Sequence, residues 1–385
     1  MTVVYKFGGS SLADKNRVFR AAAILAEAKA RGERVVCVVS AQGDDTDELL
    51  RLAAEVSPAS AGRELDALLA TGEQKSAALL AMTLQNMGVP ACSMNAMQAG
   101  ICCSCEHGSA RITHICADAL MRALDNGCVP VVTGFQGVNE AGDVCTLGRG
   151  GSDATACALA AALSGRCVIC TDVDGVFTSD PRLVCDAKRI DSIPHDAMLE
   201  LAANGAGVLM DRSAQLAMKY ALPLCVRSCE NSSKGTQIGY GADENAHFYG
   251  AALQGGLIVV SGCVLQSELS ALCGAVRYLS GSFLQFYNDE GEVWFSFLMP
   301  CDRAEEARTQ LCFAAKLVCS TETAKVCIAG SGALDAQSLQ RMTELLQSKN
   351  IPILALCQSA GSIWAVVAEE YKNSALGAVH EEFIS

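Results

Sequence analysis

Lys6, Gly8, Gly9 and Ser10 come directly after an apolar run, Val3-Val4-Tyr5, and precede a helical spacing of Val18, Ala22, Leu25 and Ala28. Paired glycines let backbone N–H groups approach an anion, a helix start adds unpaired donors and a positive dipole end, and Lys6 adds a full charge. Together they are the parts of a phosphate cradle. The string is neither a G-x-x-x-x-G-K-[ST] loop nor a G-x-G-x-x-G fingerprint, so those two nucleotide folds are not what it signals. Alone, it also fits a strand-to-helix turn that needs glycine only for space.

Other clusters point the same way. Ser40-Ala41-Gln42-Gly43-Asp44-Asp45-Thr46-Asp47-Glu48 is a strand end, a polar turn and a helix start, in which Asp45 and Glu48 have the spacing of a capping box. Thr71-Gly72-Glu73 lies between two apolar helical stretches, and a carboxylate buried there needs a cation such as a substrate ammonium. In Thr146-Leu147-Gly148-Arg149-Gly150-Gly151-Ser152-Asp153, Arg149 can fork onto a carboxylate. Ser152 or Asp153 would cap the small-residue helix that begins at Ala154, aiming its amides at an anion; an ordinary capped helix with a surface arginine fits as well. Thr171-Asp172-Val173-Asp174-Gly175-Val176-Phe177-Thr178-Ser179-Asp180-Pro181-Arg182 offers polar groups for a ribose and base, an apolar face at Phe177 and a charge at Arg182 for phosphate. It also reads as a plain loop between strand and helix.

These clusters need strands and helices to hold them. Strands are predicted at Val3–Phe7, Arg34–Ser40, Val129–Thr133, Cys167–Thr171 and Leu222–Arg227, with helices such as Ala154–Leu163 and Met198–Ala203 between most of them. That alternation predicts an α/β sandwich around a largely parallel sheet, with the site beyond the carboxyl ends of the strands. The polar stretch Asn231–Ala246 reads as the end of this domain. Beyond it, strands at Gly256–Val264, Phe283–Asn288 and Val293–Met299 combine with helices at Ser267–Leu279 and Ala304–Leu311. A second series follows: strand Ala324–Ile328, helix Asp335–Gln347, strands Ile351–Leu356 and Ile363–Ala368, and a last helix. The expected division is 1–245, 246–319 and 320–385, two ferredoxin-like α+β modules behind the first domain, with a strand at 247–253 returning to complete the second.

Composition narrows the class. At 385 residues, 51% hydrophobic and 18% charged, the chain has enough apolar mass for two or three packed domains. A net charge of −13 argues against a nucleic-acid partner, and no apolar run reaches the length of a membrane span. The chain enters its first strand too early for a signal peptide, so its 21 cysteines are expected as reduced thiols in a cytoplasmic protein. Cys167-Val-Ile-Cys170 lies in an apolar strand, and Cys102, Cys103 and Cys105 lie in a predicted loop beside Glu106 and His107. Neither set supplies four convergent ligands, so no protein-held metal is expected.

The strings K-F-G-G-S-S, S-A-Q-G-D-D-T-D-E-L-L, L-L-A-T-G-E, G-F-Q-G-V, T-L-G-R-G-G-S-D and T-D-V-D-G-V-F-T-S-D-P-R, in this order, resemble the aspartate kinase family of the amino-acid kinase superfamily. The resemblance covers Met1 to about Ser233 and implies a three-layer αβα kinase domain followed by two ACT modules. It implies ATP-dependent phosphorylation of the β-carboxylate of L-aspartate, the first step toward lysine, threonine and methionine, with Mg2+ bridging the phosphates. By the same resemblance Lys6 stabilises the phosphoryl oxygens and Asp153 orients it. Arg149 binds a substrate carboxylate, Glu73 its ammonium, and Thr46 and Ser152 its polar groups. Phe7, Gly8, Gly9 and Ser10 hold the triphosphate with Lys6, while Thr171, Asp172, Phe177, Arg182 and Gly207 hold the nucleotide. Gly207 stands where many relatives carry Lys or Glu, and Met210-Asp211 replaces a usual His-Pro before Arg212-Ser213. The ACT modules imply a homo-oligomer and offer a place for an amino-acid effector, but neither has the usual Pro-Gly turn, so modules that serve dimerisation alone fit as well. A kinase of glutamate, acetylglutamate or a nucleoside monophosphate, and a non-catalytic regulatory subunit, are the competing readings.

Overall fold

Every residue of β1 (Thr2–Phe7) is buried, because the strand lies in the middle of a sheet covered on both faces. Alternation sends Val3, Tyr5 and Phe7 into a core with Leu25, Leu80 and Leu84, and turns Lys6 to the opposite face. A computed structural model describes residues 1–58, 61–231, 233–239, 247–289 and 291–384, which form two compact units.

After β1 come α1 (Lys15–Ala30), β2 (Arg34–Val39), α2 (Asp45–Val56), α3 (Arg63–Asn86), β3 (Ala91–Met94), β4 (Ile101–Cys103), β5 (Ile112–Ile115) and α4 (Asp118–Asp125). They are followed by β6 (Val129–Thr133), β7 (Gln136–Val138), β8 (Val144–Thr146), α5 (Gly151–Ala162), β9 (Arg166–Thr171), β10 (Ser192–Pro194), α6 (His195–Ala203), α7 (Asp211–Lys219), β11 (Leu224–Ser228) and β12 (Thr236–Gly239). The main sheet of the first unit has the order β10-β12-β11-β9-β1-β2-β6-β3, parallel throughout except at β11–β12. A smaller sheet, β5-β4-β7-β8, stands beside it. This is the expected α/β architecture with a parallel-rich sheet.

Several local expectations need correction. Thr71-Gly72-Glu73 does not separate two helices but lies inside the 24-residue α3, where Gly72 packs against Ala41 too closely to admit a side chain. Cys102 and Cys103 are in strand β4, not a loop. No side chain caps α2, and Asp45 instead pairs with Lys75 at 2.8 Å. A 3-10 turn at Ser10–Leu12 separates Gly8-Gly9 from α1, whose first amides are taken by Asp14. The α1 terminus is therefore not the dipole end beside the glycines.

The second unit comprises Phe177–Lys188, Glu200–Ala206 and the chain from residue 247 onward. Its elements are β13 (Gly250–Leu265), α8 (Leu269–Tyr278), β14 (Ser282–Asp289), β15 (Glu292–Pro300), α9 (Ala304–Gln310), β16 (Ala315–Cys319), β17 (Thr323–Ala329), α10 (Ala336–Ser348), β18 (Ala355–Gln358), β19 (Ser362–Ala368) and α11 (Lys372–Ile384). One sheet, β14-β15-β13-β17-β19-β18 with β16 also on β13, runs through both halves. The long β13 joins them: Gly250–Gln254 pairs with β17 and Leu257–Leu265 with β15, with a register shift between. The expected strand from Ile351 starts only at Ala355, because Ile351 closes the end of α10 by bonding Leu346 and buries its side chain in the core. The expected boundary at 245 falls in 240–246, outside the described residues. No helix among the described residues is long and apolar enough to cross a membrane.

Candidate active site

The carboxyl ends of β1, β2 and β6 open on a cavity of about 630 Å³ within the first unit. Lys6, Gly9, Thr46, Glu73, Arg149, Ser152 and Asp153 all line it. Gly9 is required by its neighbours, since a Cβ there would lie 2.8 Å from the Ala41 carbonyl oxygen. Gly150 is required by its backbone, at φ +69°, and by Met210, whose Cγ would lie 2.4 Å from an added Cβ. Met210 thus packs under the turn that starts α5.

Lys6 and Asp153 form the charged centre. Lys6 Nζ lies 2.6 Å from Asp153 Oδ1, and both side chains are about nine-tenths buried. The pair is fixed by β1, which turns Lys6 toward α5, and by the first turn of α5, which carries Asp153. That helix starts at Gly151 after the left-handed Gly150, so Ser152 and Asp153 sit inside the first turn and do not cap it. Its first amides have no side-chain cap, and Gly151, Ser152 and Asp153 line the cavity. Such a terminus favours negative charge.

Glu73 is the second buried charge. It is 3% exposed, its Oε1 accepts the Ala41 amide at 2.9 Å, and its Oε2 has no partner among the described residues. Burial pushes its carboxyl up to about 7, against the opposing hydrogen bond from Ala41. An unpartnered buried carboxylate oxygen in a cavity wall is a receptor for a cation or an N–H donor. Arg149, exposed in the glycine turn of the opposite wall, supplies the complementary positive charge.

Two side chains that motif reading did not select hold this wall. Asp66, on α3 and 1% exposed, accepts the Thr146 hydroxyl at 2.5 Å and the Gly108 amide at 3.1 Å, and lies 2.8 Å from His107 Nδ1. It ties the α3 helix to the β4–β5 loop and to the strand that leads into Arg149. Arg212 donates to the carbonyls of Leu147 at 2.5 Å and Ala110 at 2.8 Å, clamping the same turn from α7. The apolar pattern around Asp66 gave no reason to separate it from a surface carboxylate, and Arg212 bonds the distant backbone carbonyls of Leu147 and Ala110, which spacing along the chain does not reveal.

Of the nucleotide candidates, Lys6 and Gly9 line this cavity and the others do not. The Phe7 side chain is fully buried in the core, which leaves only its backbone for a ligand. Gly8 and Ser10 continue the turn after β1, and Thr171 and Asp172 stand at the end of the adjacent β9, with the Thr171 hydroxyl on the Asp172 carboxylate at 3.0 Å. Gly207 has open space where a side chain would be. Phe177 and Arg182 fall in the second unit, where the Arg182 guanidinium is forked onto Asp180 at 3.0 and 2.7 Å.

Residues 1–228 match the family described as amino acid kinase family, and residues 326–383 match an ACT domain. The chain is 39% identical over 393 residues to an aspartokinase of Geobacillus stearothermophilus, covering 99% of this chain and 97% of that protein. It is equally similar, 39% over 397 residues, to aspartokinase 2 of Bacillus subtilis, with the same coverage of both chains. In fold it matches E. coli aspartokinase III solved with aspartate and ADP (R-state), at a TM-score of 0.84 and 23% identity over all of both chains.

Proposed function

Because this chain belongs to the amino acid kinase family, we propose that it is an aspartate kinase, moving the γ-phosphoryl group of ATP to the β-carboxylate of L-aspartate. The products are 4-phospho-L-aspartate and ADP. The observation that carries the substrate is the free Glu73 Oε2 in a cavity that also presents Arg149 and the Lys6–Asp153 pair. A free α-amino acid with two carboxylates satisfies all of these. An N-acylated substrate has no charge for Glu73 and offers it at most one amide N–H, which leaves the buried charge without a counter-charge.

The nucleophile is already ionised, so no general base is needed. One oxygen of the β-carboxylate forms a bond to Pγ, the bond from Pγ to the β,γ-bridging oxygen breaks, and ADP leaves with that electron pair. Catalysis is then positioning and charge neutralisation. Glu73 holds the substrate ammonium, Arg149 its α-carboxylate, and the Thr46 and Ser152 hydroxyls its polar edges. Lys6, oriented by Asp153, meets the charge on the transferred group, beside the first amides of α5 and those of Gly8 and Gly9. Ser10, Thr171, Asp172, Phe177, Arg182 and Gly207 are the residues for the nucleotide. Mg2+ would be held by the phosphates of ATP and would supply charge neutralisation there. The ACT domain at 326–383 gives an amino-acid effector a place to act, and the exposed edge strand β14, which precedes it in the chain, gives a homo-oligomer a surface.

Turnover of ATP with hydroxylamine present tests this, with L-aspartate, L-glutamate and N-acetyl-L-glutamate offered separately. Hydroxamate with L-aspartate alone is the expected result. Hydroxamate with another acceptor instead, or with none while ATP still binds, overturns the assignment.

A further inference from the structure

We propose that Cys102, His114 and Cys116 form a surface site for a thiophilic divalent cation of the zinc class, apart from the catalytic cavity and independent of which substrate the kinase takes. The register of the small sheet assembles it. β4 and β5 are antiparallel, and Cys102 stands directly opposite His114. Alternation along an extended chain returns Cys116 to the face of His114. The Cys116 amide continues the pairing by bonding the Gly100 carbonyl at 2.8 Å. Gly100 is locked there: its φ is +71°, and a Cβ would lie 2.2 Å from the Cys116 carbonyl oxygen. The three residues are thus held by backbone geometry before any ion arrives.

The donor atoms suit the ion. Two thiol sulfurs and an imidazole nitrogen all lie within 4.8 Å of one another. Ligands of one tetrahedral zinc sit roughly 3.3–3.8 Å apart, given bonds of about 2.3 Å to sulfur and 2.0–2.1 Å to nitrogen, a gap that side-chain rotation closes. The opposite face of the sheet is committed elsewhere, since Cys103 packs with Ala110, Cys145 and Leu147. The proposed ligands face outward: His114 and Cys116 are exposed and Cys102 half-buried, leaving a fourth position for water. Two thiolates balance the charge of the cation, and binding releases their two protons. The set differs from the run of cysteines beside His107 that the sequence suggests, because His107 is engaged by Asp66 at 2.8 Å.

Cobalt(II) is the probe, added to the metal-free full-length protein in a non-thiol reductant. One equivalent per chain should give a thiolate-to-cobalt charge-transfer band and tetrahedral ligand-field bands, both removed by one equivalent of Zn2+. Cys102→Ser, Cys116→Ser and His114→Ala should each abolish or strongly reduce the charge-transfer band, while Cys105→Ser keeps it. Absence of the band in the unaltered protein overturns the proposal. So does a band that survives all three substitutions, which would place the metal among other cysteines, or a Cys102–Cys116 disulfide that persists in the reductant.

Discussion

Glu73 is the residue whose ionisation should be visible in kinetics. Burial raises its carboxyl from 4.5 to about 7, so the folded chain holds this proton more tightly than the unfolded one. The stabilisation is therefore full below the unfolded value and is lost as pH rises through 7, an effect of about 3 kcal/mol. A substrate ammonium needs the carboxylate, so below pH 7 it must displace a proton. KM for L-aspartate is expected to rise about tenfold per unit of pH below 7, with kcat nearly constant. Glu73→Gln should raise KM about 100-fold, as loss of a buried charge partner costs roughly 3 kcal/mol or more, and should flatten this pH dependence. Urea unfolding of the two proteins at pH 5.5 and 7.5 checks the stability side: the unaltered protein should lose stability relative to the variant as pH rises. A variant whose KM keeps the original pH profile would remove Glu73 from the site. Sequence reading could select Glu73 because an acid between two apolar helical stretches is conspicuous. It could not select Asp66 or Arg212, whose partners lie far away in the chain and are mostly backbone groups.

At the scale of elements, α3 carries the site on one face. Asp66 and Glu73 lie about two turns apart on the same side, the first gripping the wall and the second facing the cavity. Asp66→Ala leaves the Thr146 hydroxyl and the Gly108 amide without their acceptor and loosens the turn that carries Arg149. A displacement of about 1 Å at a reacting group costs on the order of 100-fold in rate, so kcat/KM for aspartate should fall by about that factor. Asp66→Asn, which still accepts a hydrogen bond, should recover part of it. Steady-state kinetics of both variants decide the matter, and equal loss in the two would point to the charge of Asp66 rather than its grip. The strands around this helix were legible because a doubly covered parallel sheet writes itself as unbroken apolar runs, as in Val3–Phe7 and Cys167–Thr171. The unbroken course of α3 was not, since a glycine beside two polar residues reads as a break until Ala41 is seen packed against it. Nor was the double duty of β13, whose halves look like two strands because Gly255 and Gly256 stand at the register shift.

At the scale of the whole molecule, linear order and compact units part company. A boundary drawn once near residue 245 follows from reading the chain as successive blocks, but Phe177–Lys188 and Glu200–Ala206 pack with the C-terminal sheet. Within that unit the Thr178 carbonyl accepts the Ala251 amide at 2.7 Å, and the Thr178 hydroxyl lies 2.9 Å from His380 Nε2. Ser362 donates to Glu200 at 2.6 Å. The residues proposed for aspartate all belong to the first unit, whereas Phe177 and Arg182, proposed for the nucleotide, belong to a segment anchored in the second. Disturbing that anchor should therefore act on one substrate and spare the other. Thr178→Val removes the partner of His380, which is 3% exposed, and an unpaired buried polar group costs about 1–3 kcal/mol. The expected outcome is a KM for ATP raised several-fold with the KM for L-aspartate within twofold. If both KM values move together in Thr178→Val, the segment holds the whole site rather than the nucleotide, and Phe177 and Arg182 lose their proposed role.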